Sequence, residues 1–309
     1  MKIIKLMAVL LIAVASLHAS ADIIVYTADN SKGKITPKVI EEALKKSGYV
    51  VPVNRDMNGP FMKQFQKSSF ETYNLLIAYH KKISMDLVLK NADSGVFVPF
   101  SMGIWQKKGD KSFSVAFLSA DAMRRIVTRK GDGTEALFAK LEAATRKAVE
   151  HALPGAKEIK LPGERAKVDH PLLTKILVEN DPEEAEDNFD EIKMTIETGL
   201  KPIGFILANQ VEYGMELDEA GNEDFLFYDT FSLCKLKVIY NIAAEHPEAG
   251  AFAPCTLAMY QKKGSDHTVL VFPNVYNWIA TLNLKKKELK ALLLKAQSDM
   301  EALLNSLNE

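Results

Sequence analysis

The sequence predicts an α+β fold built as two tandem copies of a β-α-β4-α domain, each a mostly antiparallel sheet with helices on one face. Three observations carry this. The chain has 309 residues, which at about 150 residues per domain leaves room for two. Residues 94–117 (SGVFVPFSMGIWQKKGDKSFSVAF) recur without a gap at residues 249–272 (AGAFAPCTLAMYQKKGSDHTVLVF), with eight of 24 positions identical. Short apolar or alternating segments fill the middle of each copy, and stretches of helical periodicity stand near its start and at its end.

The elements follow in the same order in both copies. A strand at residues 22–27, matched by one near 173–178, opens each. In the first copy Ile35, Val39, Ile40, Ala43 and Leu44 recur at helical spacing, and Gly48 stops the helix. In the second, Asp181-Pro182-Glu183-Glu184 reads as a helix start, with a capping Asp, Pro in the first turn and acids at the positive end of the dipole. Strands at 49–53 and 205–211 come next. After a polar loop, further strands run at about 73–80 and 227–236. A short helical stretch leads to Gly95 or Gly250. The repeated segment is a strand that turns at Lys-Lys-Gly into the last strand, a hairpin pattern. A C-terminal helix closes each copy, and in the second Leu289, Leu292, Leu293, Ala296, Met300, Leu303, Leu304 and Leu307 form its apolar stripe. Pro154, Pro162 and Pro171 mark a connector at 154–171, so the copies span 22–153 and 172–309.

The first 21 residues read as an address. Lys2 and Lys5 precede twelve residues, 6–17, that are apolar except for Ser16. That run is too short to span a bilayer, which takes about 20 residues. With Ala19-Ser20-Ala21 as a small-x-small site it has the layout of a secretory signal peptide cut before Asp22, or alternatively after Ala19. No Cys stands at the junction to carry a lipid. A periplasmic or secreted protein is expected, with no stable membrane insertion after cleavage. Its 37 basic and 40 acidic residues, once Lys2 and Lys5 are gone, lack the basic excess of a nucleic-acid binder.

Residues 231–255 (FSLCKLKVIYNIAAEHPEAGAFAPC), continued by TLAMYQKKG, resemble the domain-of-unknown-function 302 family. There, a Cys-bearing strand precedes a short helix, an acidic-Pro-acidic-x-Gly turn and an apolar-Pro-Cys strand. The resemblance covers roughly residues 35–150 and 190–307. It implies a TATA-binding-protein-like β-α-β4-α domain, without any implication of DNA binding, and it implies no reaction. Single-domain relatives tend to pair, so the two copies are expected to form a pseudo-dimer within one chain. The second copy matches both family cysteines, at Cys234 and Cys255, where the first has Tyr79 and Phe100. Any chemistry of these positions belongs to the second copy.

Cys234 and Cys255 are open to three readings: buried core thiols, a Cys234–Cys255 disulfide allowed by an oxidising compartment, or a metal or redox site. By strand alternation Cys255 shares a face with Leu257 and Met259, which points to the core. No metal is assigned, because the histidines are scattered and no HExxH or CxxC spacing occurs. His246, between the two cysteines, is the one histidine placed to partner them. The acidic run 179–191 lacks EF-hand spacing, and Gly131-Asp132-Gly133-Thr134 lacks the ending of a phosphate loop. Trp105 and Tyr260 sit at equivalent strand positions beside the Lys-Lys-Gly turns. Together with Tyr73, Tyr228, Phe97 and Phe252 they are candidates to line an apolar groove.

No catalytic triad, nucleophile elbow or dinucleotide fingerprint is present, so no catalytic residue and no cofactor is named. The reading is an exported, non-enzymatic ligand-binding or interaction module. Its site is expected in the second copy at Cys234, Cys255, Tyr260 and Tyr228, for a small apolar ligand or a protein partner. A redox or metal-handling protein using the cysteine pair is the alternative.

Overall fold

The computed structural model describes residues 22–127, 131–161 and 165–308; the expected signal peptide lies outside them. The first repeat runs β1 (Ile23–Asp29), α1 (Pro37–Lys46), β2 (Tyr49–Asp56), α2 (Asn58–Phe65), β3 (Phe70–His80), α3 (Lys81–Lys90), a 3-10 helix (Ala92–Phe97), β4 (Phe100–Lys107), β5 (Ser112–Leu118), α4 (Ala120–Val127) and α5 (Glu135–Ala152). One further strand, β6 (Lys157–Leu161), follows. The second repeat runs β7 (Leu173–Glu179), α6 (Ala185–Leu200), β8 (Ile206–Glu212), α7 (Gly214–Glu219), β9 (Phe225–Cys234), α8 (Leu236–Ala243), a 3-10 helix (Pro247–Phe252), β10 (Cys255–Lys262), β11 (His267–Pro273), α9 (Tyr276–Thr281) and α10 (Lys287–Asn305).

Both sheets are antiparallel, in the orders β2-β3-β4-β5-β1-β6 and β7-β11-β10-β9-β8. The β-α-β4-α order therefore stands in each repeat. Three features depart from the sequence reading. The polar loops after β2 and β8 each hold a short helix, α2 and α7, whose one buried residue is Phe61 or Leu217. The connector contributes β6, which pairs with β1 from Ile23↔Leu161 to Thr27↔Lys157. The acidic stretch before α6 is not yet helix: Asp181 accepts a bond from the Glu183 amide in a local turn, and the helix starts at Ala185.

The helices form as their patterns dictate. Pro37 sits in the first turn of α1, Lys45 and Lys46 occupy its last turn, and Ile40, Ala43 and Leu44 face inward. In α10, Leu289, Leu293, Ala296, Met300 and Leu304 are buried along one stripe. The end of this stripe, Met300 and Leu304, joins Ile192 and Ile196 of α6 over Ile176, Phe231, Leu257, Met259 and Leu270 of the sheet. The glutamine of each Gln-Lys-Lys-Gly turn is structural. Gln106 accepts from the Asn30 amide at 2.9 Å, and Gln261 donates to the Asn180 carbonyl at 2.9 Å. The turn glycines Gly109 and Gly264 have φ of 77° and 75°, in the left-handed region.

The sheet face free of long helices meets the other repeat. The 3-10 helix Pro247–Phe252 packs on β4 and β5, and its counterpart Ala92–Phe97 packs on β10 and β11. Four of the hydrogen bonds across this contact form two symmetric pairs. Tyr73 donates to the Pro247 carbonyl at 3.1 Å, and Tyr228 donates to the Ala92 carbonyl. Ser101 donates to the Pro254 carbonyl at 2.6 Å, and Thr256 donates to the Pro99 carbonyl at 2.9 Å. The approach is close enough that a Cβ on Gly250 would lie 2.5 Å from the Gly103 Cα. A further tie runs through Asp22, which is buried: its carboxylate takes Arg125, Arg165 at 3.2 Å and, from the second repeat, Thr281 at 2.5 Å.

Candidate functional site

The second repeat holds an apolar cavity of about 60 Å³ between its sheet and the helices α8, α9 and α10. The sheet supplies Leu233, Cys234, Cys255, Leu257 and Phe272; the helices supply Val238, Ile239, Trp278, Leu293, Ala296 and Met300. The polar groups in its wall are already engaged. Lys235 pairs with Asp299 at 2.7 Å. Gln297 donates to Thr174 and Glu301 and accepts from the Val275 amide. No unpaired charge therefore faces the space, and an uncharged apolar group is what it suits.

Comparison of the two repeats explains why the space is open. Cys255 begins β10 where Phe100 begins β4. Phe100 is 4% exposed and meets Tyr49 edge to face at 6.1 Å between ring centres. Tyr49 in turn bonds Thr145 at 2.7 Å. Ala296 likewise stands where the first repeat has Leu141. Two small side chains replace two large ones; Tyr79, at the position of Cys234, instead meets Tyr213 of the second repeat, with ring centres 5.3 Å apart. Leaving a void of this size costs about 1.4 kcal/mol at roughly 24 cal/mol per Å³.

Both cysteines are free thiols in the structure, so the disulfide considered from the sequence is not formed. The strand register gives a reason: Cys255 lies opposite Leu233, so the two thiols are one residue out of step and attach to opposite-facing strand positions. Cys255 donates weakly to the Phe252 carbonyl at 3.3 Å. Burial pushes its thiol up to about 12, with the Trp278 indole beside it acting in the opposite sense. Burial, and then the neighbouring Cys255, push Cys234 up to about 12 as well. Protonated thiols are poor nucleophiles and poor metal ligands.

Tyr228 and Tyr260 are not in this cavity, which corrects their grouping with the cysteines. Alternation along β10 puts Thr256, Ala258 and Tyr260 on the face toward the first repeat, opposite Cys255. Tyr228 is fully buried there and stacks on Tyr260, with ring centres 5.3 Å apart and planes 2° from parallel. Tyr260 donates to Asp93 of the first repeat at 2.8 Å. These two tyrosines bind the other repeat. His246 pairs with Glu248 at 3.2 Å. Among the described residues, no group of three or more His, Cys, Asp or Glu is placed to hold a metal ion. The residues missed from the sequence are Trp278, Leu257, Phe272 and Ala296. The signal available was small-for-large replacement at equivalent positions, at Ala296 against Leu141 as well as at Cys255 against Phe100.

A second group with altered chemistry is Asp229 on β9. Burial raises its carboxyl to about 6; Gln210, donating at 3.0 Å, opposes this, Glu212 adds to it and Lys193 opposes it. The first repeat has Asn74 at this position, bonded to Asn54 at 2.9 Å. Because the folded-state value is raised, stability from this group is full below pH 4 and is lost as pH rises through about 6. Asp229→Asn is expected to remove that slope and to stabilise the protein at pH 7 by about 2 kcal/mol. Denaturant melts of both proteins at pH 4 and pH 7 check it, since equal slopes would show that Asp229 does not titrate in this way.

No helix among the described residues is long and apolar enough to cross a membrane. No curated protein matches the sequence significantly. A solved structure, the uncharacterized conserved protein DUF302 from Bacillus stearothermophilus, is similar at 20% identity with a TM-score of 0.37. The match covers 45% of this chain and 100% of that one. The profile of the domain of unknown function DUF302 matches twice, at residues 30–152 and 183–307. The first segment takes in β2 to β5 and α1 to α5, the second β8 to β11 and α6 to α10, and together they make up most of the chain, which belongs to the DUF302 family as a tandem, two-copy member.

Proposed function

We propose that the protein is an exported, non-enzymatic binding module whose second repeat takes up the apolar end of a small uncharged molecule. One observation carries the reading: the cavity beside Cys255, at the place where the first repeat is filled by Phe100. A void that costs stability in one copy and is closed in the other is what a retained binding site needs. The basic and apolar residues at the start of the chain support export. The first repeat then acts as the structural half of an internal pair, joined through Tyr73, Tyr228, Ser101 and Thr256. Nothing favours the redox alternative, because both thiols are protonated at neutral pH.

The test is a titration of the full chain with straight-chain alcohols of increasing length, read by the emission of Trp278 in a Trp105→Phe background. Trp278 lines the cavity, and Trp105 is the only other tryptophan. Saturable binding is expected, strengthening by about 0.8 kcal/mol per added methylene until the space is full. A linear, unsaturable response at every length would contradict the reading.

A further inference from the structure

The two sheets differ at one edge. In the first, β1 is covered by β6; in the second, the equivalent strand β7 pairs with β11 alone, and among the described residues no strand pairs with its outer side. The backbone groups of β7 can be assigned to sides. Asn180 donates to Asp266 across the β11 side, and the Leu177 carbonyl accepts from the Asn308 side chain at 2.9 Å on the other. Because these groups alternate along a strand, Lys175, Leu177 and Glu179 present their N–H and C=O groups outward. The same three residues carry exposed side chains, and Leu177 is 51% exposed. An open edge with an apolar residue at its centre is a template for another strand.

We propose that this edge pairs with β7 of a second copy, antiparallel about a two-fold axis at Leu177. The sequence of the edge is self-complementary in that register. Leu177 faces Leu177 of the second copy, and Lys175 and Glu179 each face the other's opposite charge, which is the arrangement an isologous contact requires. Shifting the register by two residues would separate these charges. Asn308, in the last turn of the chain, gives up its bond to the Leu177 carbonyl when the strands meet. A pairing of about five residues falls short of the roughly 1,000 Å² of a stable interface, so the dimer is weak and concentration-dependent.

Sedimentation of the full chain over a wide concentration range tests this. A reversible monomer–dimer equilibrium is expected. Lys175→Glu and Glu179→Lys should each weaken it at least about tenfold by setting like charges opposite one another, and the double exchange should restore it. Lys175 also pairs with Asp93 at 2.7 Å. That contact is lost in the double variant too, so recovery there reports the edge and not the fold. Leu177→Asp should abolish the dimer with an unchanged melting temperature. A chain that stays monomeric throughout, or a dimer indifferent to these changes, would overturn the proposal.

Discussion

Gly250→Ala is expected to destabilise the protein by about 3 kcal/mol. The added carbon would sit 2.5 Å from the Gly103 Cα, and both partners are backbone. Neither can rotate away, so the 3-10 helix Pro247–Phe252 must lift from β4. Lifting it strains the bonds from Tyr73 to Pro247 and from Ser101 to Pro254, which lie on either side. The wild-type repeats should unfold in one transition because buried surface joins them, and the variant should show two. Gly59→Ala is the control. A Cβ there meets nothing within 4 Å, so its effect should stay within about 1 kcal/mol, in either direction. Denaturant melts followed by far-ultraviolet and aromatic signals distinguish the two cases. A Gly250→Ala protein as stable as wild type would mean that the repeats do not meet at this point.

Phe100→Cys should cost about 3 kcal/mol and open in the first repeat the kind of space that the second already has. Large-to-small changes at buried aromatic positions fall in the 3–5 kcal/mol range when reduced to Ala, and Cys retains part of the volume. The loss arises from two sources: the ring leaves its edge-to-face contact with Tyr49, and Leu141 and Tyr49 close the gap only partly. Calorimetry measures the loss, and xenon binding under pressure reports the new void. A loss below about 1 kcal/mol would show that the first repeat collapses around the change.

Much of the fold was legible because the duplication states its pattern twice. The strand ending in Lys-Lys-Gly, the helix stop at Gly48 and the apolar stripe of α10 are local signals that tertiary packing did not override. What escaped notice was held by distant contacts. The short helices α2 and α7 each bury a single residue, Phe61 or Leu217, so their periodicity is invisible. The strand β6 is exposed on most of its length and exists because β1 offers an edge. The site divides in the same way. Cys234 and Cys255 are legible as thiols; the part of Cys255 in the cavity is the volume it leaves, which depends on Trp278, Met300 and Ala296 from elements 20 or more residues away. Tyr228 and Tyr260 are aromatic residues on strands, and only the position of the other repeat shows what they touch.

The alcohol titration, run side by side on the wild type and Cys255→Leu, tests the central claim most directly. Leucine at this position adds roughly the volume that the cavity holds, without a charge or a new polar group. The expected result is saturable binding by the wild type that is weakened at least about tenfold in the variant. The variant should also gain about 1 kcal/mol of stability as the void is filled. Equal binding by the two proteins, or a variant that loses both stability and binding through misfolding while Cys255→Ser binds no better, would contradict a ligand seated beside Cys255.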